Sequence, residues 1–365
     1  MTQITENDVT ISKRKSEHLR IVAEEEVKHR GSTMLDDIFL LHCALPELDI
    51  NDIDTEVEFF GKKLSYPLMI TGMTGGAEFA GEMNRGLAET ASEFGIAFGV
   101  GSQRVIFRHP EMKDDFAVRK RIPDGVLLGN IGAGELREYP LDSIIGLMND
   151  IEADGICVHL NVAQELIQDE GHRDFRGLLD ALAALNDKIN GKVLVKETGA
   201  GIDPESLKKL SKIGIKYVDV SGAGGTSWTK VEMYRAADKL LRKTGKTFSD
   251  WGIPTAFSLI AAHRIQNENT CVVASGGIEN GLDAARAIAV GADIAGFARP
   301  ILLSFLDRGK EGATEFMEQM IHELKAAMLL TGAADLSKLK QVPRIYTGEL
   351  REWLLNFGWL NKQGI

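Results

Sequence analysis

The 365-residue sequence has only three cysteines, Cys43, Cys157 and Cys271, widely separated and without a C-x-x-C pair. That excludes an even-numbered disulfide framework and leaves reduced thiols in a cytoplasmic protein as the simplest reading. Long apolar runs are missing too, and the opening segment MTQITENDVTISKRKSEHLR has no apolar secretory core. A bilayer span or cleaved leader is therefore not expected. Low-complexity tracts and short repeats are absent. Positive charge is also short: 42 Lys and Arg against 53 Asp and Glu give a net charge of -11. Such a balance argues against a general nucleic-acid or membrane binder. Any anionic ligand must be held by a local basic cluster working against the overall field.

What is present is core-forming material, with 44% hydrophobic and 26% charged residues, as in soluble globular proteins. From residue 66 onward, eight short apolar runs alternate with amphipathic stretches: YPLMITGMTGG, FGIAFGVGSQR, DGVLLGNIGAG, GICVHLN, GKVLVKETGAG, KYVDVSGAGGTSW, TCVVASGGIENG and GADIAGFARP. Continuous apolarity suits parallel strands buried on both faces. RDFRGLLDALAALNDKI, PESLKKLSKIG and GLDAARAIAVG read as the intervening helices. Pro204 fits the first helical position behind an Asp203 N-cap. IPTAFSLIAAHRIQ is ambiguous by periodicity, but Pro254 and its alanines favour a helix over a ninth strand. Eight strand–helix repeats predict an α/β fold, a (β/α)8 barrel over residues 66–335. Residues 1–65 form an N-terminal extension and 336–365 a C-terminal helical tail of the same domain.

Barrel active sites lie at the C-terminal ends of the strands, and here nearly every run ends on polar residues or glycine. SGGIENGLDAARA places Gly276 and Gly277 before a helix opened by Asn280 or Asp283, and GFARP places Ala298 and Arg299 before Pro300. Two adjacent glycine-rich or helix-opening turns after the seventh and eighth strands favour a phosphate cradle. SGAGGTSW adds Ser221 and Thr226, but it lacks the spacing of a dinucleotide fingerprint. Within VLVKE, alternation points Val193, Val195 and Glu197 one way and Lys196 the other. A lysine aimed into a barrel mouth needs an anionic partner; Schiff-base chemistry and pairing with an electron-rich cofactor ring both remain open on these residues alone. By the same alternation His159 and Asn161 share a face, with Gln164 and Glu165 in the loop beyond.

RKSEH (Arg14 to His18), MTGG, GSQR, HLNVAQE, KETGAG and SGAGGTSW occur in order over nearly the whole chain. Together they closely resemble type 2 isopentenyl-diphosphate isomerases. The resemblance implies a (β/α)8 barrel that interconverts isopentenyl and dimethylallyl diphosphate, using reduced FMN as acid–base catalyst with Mg2+, the flavin being kept reduced by NADPH. It implies flavin contacts from Thr71, Gly72, Met73, Thr74, Ser102 and Asn130. Lys196 would stabilise the anionic reduced ring, with Ser221 and Thr226 at the ribityl chain or phosphate. Gly277, Ile278, Glu279, Ala298 and Arg299 would hold the 5′-phosphate. Substrate contacts are implied for Arg14, Lys15, His18, Ser102, Gln103, Arg104, His159 and Asn161. Glu165 is the implied Mg2+ ligand and Gln164 the residue nearest the isoprene; Gln164, His159 and Lys196 form the catalytic group. A homo-oligomer, tetrameric or octameric, is expected. Rival readings are an FMN-dependent 2-hydroxy-acid oxidase and a non-catalytic prenyl-diphosphate-binding barrel. An IMP-dehydrogenase-like enzyme would need a cysteine in a strand-end loop, and Cys157 and Cys271 fall within predicted strands.

Overall fold

The computed structural model describes residues 17–73, 79–265, 267 and 269–360. Four short strands come first: β1 (Ile38–Leu40), β2 (Val57–Phe59), β3 (Lys62–Leu64) and β4 (Leu68–Ile70). Then follow β5 (Ala97–Gly99), β6 (Leu127–Gly132), β7 (Gly155–Leu160), β8 (Val193–Glu197), β9 (Tyr217–Asp219), β10 (Cys271–Ala274), β11 (Ile294–Phe297) and β12 (Arg344–Tyr346). Strands β4 to β11 form a closed parallel barrel, with β11 pairing β4. These are the eight apolar runs, and nearly every strand residue is buried because helices cover the outside and side chains fill the inside.

Alternation separates two cores. Val193 and Val195 join the large cluster between sheet and helices, whereas Leu194 joins Met69, Ala97, Leu128, Cys157 and Val273 inside the barrel. Lys196, one step further along the inward face, therefore emerges at the mouth. The helices begin where the sequence predicts. Asp203 caps the helix Pro204–Lys212 by accepting from Glu205 and Ser206 N–H groups. Asn280, rather than Asp283, caps Gly281–Ala289. Thr255–Ile265 is helical, and the long final helix Arg299–Thr331 kinks at Arg308 and Gly309.

The extension shapes both ends of the barrel. The β2–β3 hairpin turns through Phe60 and Gly61, whose φ values of 50° and 73° suit a tight hairpin turn. It drives Phe59 and Leu64 into the inner core, each burial contributing about 2 kcal/mol. Phe60 stacks on Tyr217 at 3.9 Å, and Lys62 pairs with Asp154 at 2.7 Å, closing the N-terminal end. Phe59→Ala would unseat this plug. At the other end, helical residues 17–24 lie over the strand C-termini. Strand β1 pairs antiparallel with β12, tying the extension to the tail.

Candidate active site

The strand C-termini open into one large cavity of about 450 Å3, within the usual range for small-molecule sites. Its walls bring together residues from nearly every strand end. From β4, β5 and β6 come Thr71, Gly72, Met73, Ser102, Arg104 and Asn130; from β7 and its loop come His159, Asn161, Gln164 and Glu165. Lys196, Ser221 and Thr226 form the next wall; Gly277, Ile278, Glu279, Ala298 and Arg299 form the last, and His18 roofs the cavity. Arg14, Lys15 and Thr74 lie outside the described residues.

Gln103 departs from the expectation. Its side chain is 0% exposed and turned away from the cavity. Its amide donates to the Leu147 carbonyl at 2.9 Å, and its oxygen accepts the Asn130 N–H at 2.9 Å. The 3-10 turn Gln103–Phe107 alternates sides with its own pitch, so Gln103 braces β6 while Arg104 faces the ligand space.

Glycine backbone makes up the β9–β11 side. Gly276 and Gly277 have φ of 96° and 77°, and Ser221 is held at 36°, unusual for a residue with a side chain. A Cβ on Gly225 would lie 2.5 Å from Gly277 N, so these turns approach each other as only glycines allow. Here the Arg299 guanidinium is anchored to the Val22 carbonyl at 3.1 Å and Lys28 pairs with Glu279 at 2.7 Å. Cradle and cations fit a phosphate group.

Opposite lies a polar wall. Arg104 donates to Glu135 at 2.7 Å, and despite burial this arginine draws the Glu135 carboxyl below its ordinary value. His159 Nδ1 and Asn130 Oδ1 are 2.9 Å apart, which assigns the proton to Nδ1. Burial pushes the imidazole down to about 4, so His159 is uncharged at neutral pH. Glu165 accepts from the Asn161 amide at 2.9 Å and the His172 N–H at 2.6 Å. The carboxylate also lies 3.2 Å from His172 Nδ1, and Glu165 borders the cavity. Among the described residues no cluster of three or more His, Cys, Asp or Glu could hold a metal. Glu165 on its own offers an oxygen donor of the kind Mg2+ prefers, an ion that keeps several waters and takes few protein ligands.

Curated relatives match the chain from end to end. Isopentenyl-diphosphate delta-isomerase of Ignicoccus hospitalis is 45% identical over 95% of this chain and 97% of its own. The enzymes of that name from Metallosphaera sedula (43%, 96% of each chain) and Methanopyrus kandleri (42%, 93% of each) are comparably similar. The chain belongs to the isopentenyl-diphosphate delta-isomerase family. The FMN-dependent dehydrogenase family model also matches, over residues 160–344, which fits the flavin-dependent, type 2 branch of the isomerase family. Solved structures share the fold at low identity. A mandelate oxidase with (S)-mandelic acid superposes with TM-score 0.64 at 16% identity, covering 95% of this chain and 100% of its own. A lactate oxidase of Pediococcus acidilactici gives 0.65 at 15%, covering 91% and 87%.

For an isomerase-family chain, four site residues escaped the sequence reading. Glu232 is 0% exposed and sits within 2.9 Å of His18 and 2.8 Å of Gln164. His18 and Arg235 hold its carboxyl down to about 2 against burial. Glu135 fixes Arg104, and Trp228 meets His18 edge-on at 5.3 Å. Asp219 lies behind Lys196, 4.0 Å from its ammonium. Trp228 was detectable as the end of SGAGGTSW. The three acids were not marked by the sequence, because the cavity residues they hold, His18 and Gln164 for Glu232, Arg104 for Glu135 and Lys196 for Asp219, are distant in sequence.

Proposed function

We propose that the protein converts isopentenyl diphosphate to dimethylallyl diphosphate, using FMN in its reduced form, Mg2+ and NADPH as the flavin's reductant. The observation that carries this reading is full-length identity of 42–45% to isomerases in a chain whose cavity joins a glycine cradle to a buried lysine. The oxidase reading rests on the FMN-dependent dehydrogenase family match over residues 160–344 and on likeness of fold at 15–16% identity.

Moving a double bond requires a proton added at one carbon and another removed elsewhere, with no net redox change. The cavity's own groups are poorly suited to supply that proton. Glu135 is committed to Arg104, and His159 stays neutral down to about pH 4. Reduced FMN, when bound, supplies titratable ring nitrogens for this exchange. Lys196 would stabilise negative charge on the ring, with Thr71, Gly72, Met73, Thr74, Ser102 and Asn130 around it. Ser221, Thr226, Gly277, Ile278, Glu279, Ala298 and Arg299 would hold the ribityl phosphate.

Arg104 would take the substrate diphosphate through its planar fork, joined by Arg14, Lys15 and His18 from the extension, and Glu165 would meet it through Mg2+. His159 and Asn161 would line the same space, His159 as a neutral ring. Gln164 would orient the isoprene. Glu232 can only accept, so the Gln164 amide N–H is committed to it, while the Gln164 oxygen accepts from the Asn161 amide at 3.3 Å and keeps a second lone pair. A cytoplasmic homo-oligomer, tetramer or octamer, completes the proposal. Phe39 and Ile345, paired across β1 and β12 and 57% and 50% exposed, offer apolar surface for assembly.

Anaerobic incubation of the purified protein with FMN, Mg2+, NADPH and isopentenyl diphosphate tests the reading. Dimethylallyl diphosphate should form only with reduced flavin, and 5-deazaFMN should abolish turnover. Oxygen uptake with a 2-hydroxy acid and no isomerisation would overturn it.

A further inference from the structure

The Lys196 ammonium does not enter the cavity as an isolated charge. Asp219, on the neighbouring strand and in register with Lys196, places Oδ2 4.0 Å from Nζ. The carboxylate is 1% exposed and sits behind the cavity wall. It nonetheless grips that wall at three points. Besides Lys196, the Ser275 hydroxyl donates to both of its oxygens, at 2.7 and 3.0 Å, and the Ser221 N–H donates at 3.1 Å. Lys196, Ser221 and Ser275 all line the cavity. Beneath the pair the barrel is apolar, with Leu194, Cys157 and Val273.

The separation is informative. At 4.0 Å the carboxylate balances the ammonium without hydrogen-bonding to it. One ammonium proton goes to the Glu197 carbonyl at 2.5 Å, leaving two donors for a ligand. Burial pushes the Asp219 carboxyl up, while Lys196 and Ser275 draw it back down. Lys196 thus presents its donors to the cavity with part of its charge already compensated from behind.

We propose that Asp219 is a positioning residue that tunes, through Lys196, how strongly this site favours a reduced, negatively charged flavin ring over the neutral oxidised one. The inference rests on the FMN reading above. Its sign follows from charge. Removing the carboxylate leaves the Lys196 charge uncompensated, which stabilises the anionic ring more than the neutral ring.

The test is the midpoint potential of FMN bound to the full-length protein. Asp219→Asn keeps the shape and both serine contacts, and should favour reduced over oxidised FMN about tenfold, a rise of about 30 mV for a two-electron couple. In a Lys196→Met background the carboxyl loses its cation and protonates in its buried site. Asp219→Asn should then change nothing further. Ser275→Ala keeps the charge but removes the hydroxyl that disperses it, and should lower the potential. That variant carries the test if Asp219→Asn does not fold. An unchanged or lowered potential in folded, FMN-loaded Asp219→Asn would overturn the inference. So would an equal shift in the Lys196→Met background, or an unchanged or raised potential in Ser275→Ala. Failure of the wild type to bind FMN would instead remove the functional reading, and this inference with it.

Discussion

Gln164 and Glu232 are 68 residues apart in sequence, yet the amide of one donates to the buried carboxylate of the other at 2.8 Å. Because Glu232 also meets His18 at 2.9 Å, a single carboxylate ties the β7 loop, the helix Trp228–Arg235 and the extension together.

Glu232→Gln should release the Gln164 amide to flip, lowering kcat about 10²-fold, as small misplacements do. Gln164→Asn should have the same kinetic signature, with KM for the diphosphate nearly unchanged. Steady-state kinetics of both variants check this; a change in KM alone would assign Gln164 to binding.

Arg104→Ala leaves Glu135 buried without its cation, which should cost about 3 kcal/mol of stability. Arg104→Met combined with Glu135→Gln should recover most of that loss while KM for the substrate stays high. Urea unfolding of the two variants separates folding from recognition. If the double variant regained a normal KM, the diphosphate role of Arg104 would be wrong.

Between pH 6.5 and about 4 the unfolded chain binds a proton at His159 that the folded chain refuses. Stability from the neutral ring is thus intact above pH 6.5, falls as pH drops, and levels off below about 4. His159→Gln should therefore gain thermal stability relative to wild type on going from pH 7 to pH 4.5. Thermal melts across that window decide it, and a constant difference between the two proteins contradicts the assignment.

Glu165→Gln should raise the Mg2+ concentration for half-maximal activity by at least roughly tenfold. His172→Ala should have a smaller effect, because the His172 backbone N–H, the closer of its two contacts to Glu165, survives. Mn2+ binding followed by electron paramagnetic resonance offers a readout independent of turnover. Equal Mn2+ affinity in wild type and Glu165→Gln would place the metal elsewhere.

What could be read from sequence was whatever repeats locally. Eight apolar runs gave eight strands because burial on both faces leaves a continuous signal, and alternation alone aimed Lys196 inward. Asp203 and Pro204 marked a helix start because capping is a nearest-neighbour effect. The resemblance implied a substrate contact for Gln103, but strand β5 ends at Gly99 and the 3-10 turn Gln103–Phe107 turns this side chain away from the cavity, a local change of pitch that the motif does not announce. Glu135 and Asp219 gave no signal, since a buried acid is recognisable only with its cation beside it, and those cations come from other strand ends. Gln164 was singled out, but the carboxylate that orients it lies two strand–helix units away.

The plug formed by Phe59 and Leu64 makes the cavity a cul-de-sac. With that end of the barrel filled, the described residues leave the cavity open at the strand C-termini, beside residues 17–24. Lys196, proposed to face the flavin ring, is 7% exposed on the inward face of the barrel, while His18 comes from the helical segment over the strand ends. On the proposed reading, occupancy would follow a queue: the flavin would be seated before the diphosphate, and substrate in that opening would hold it in place.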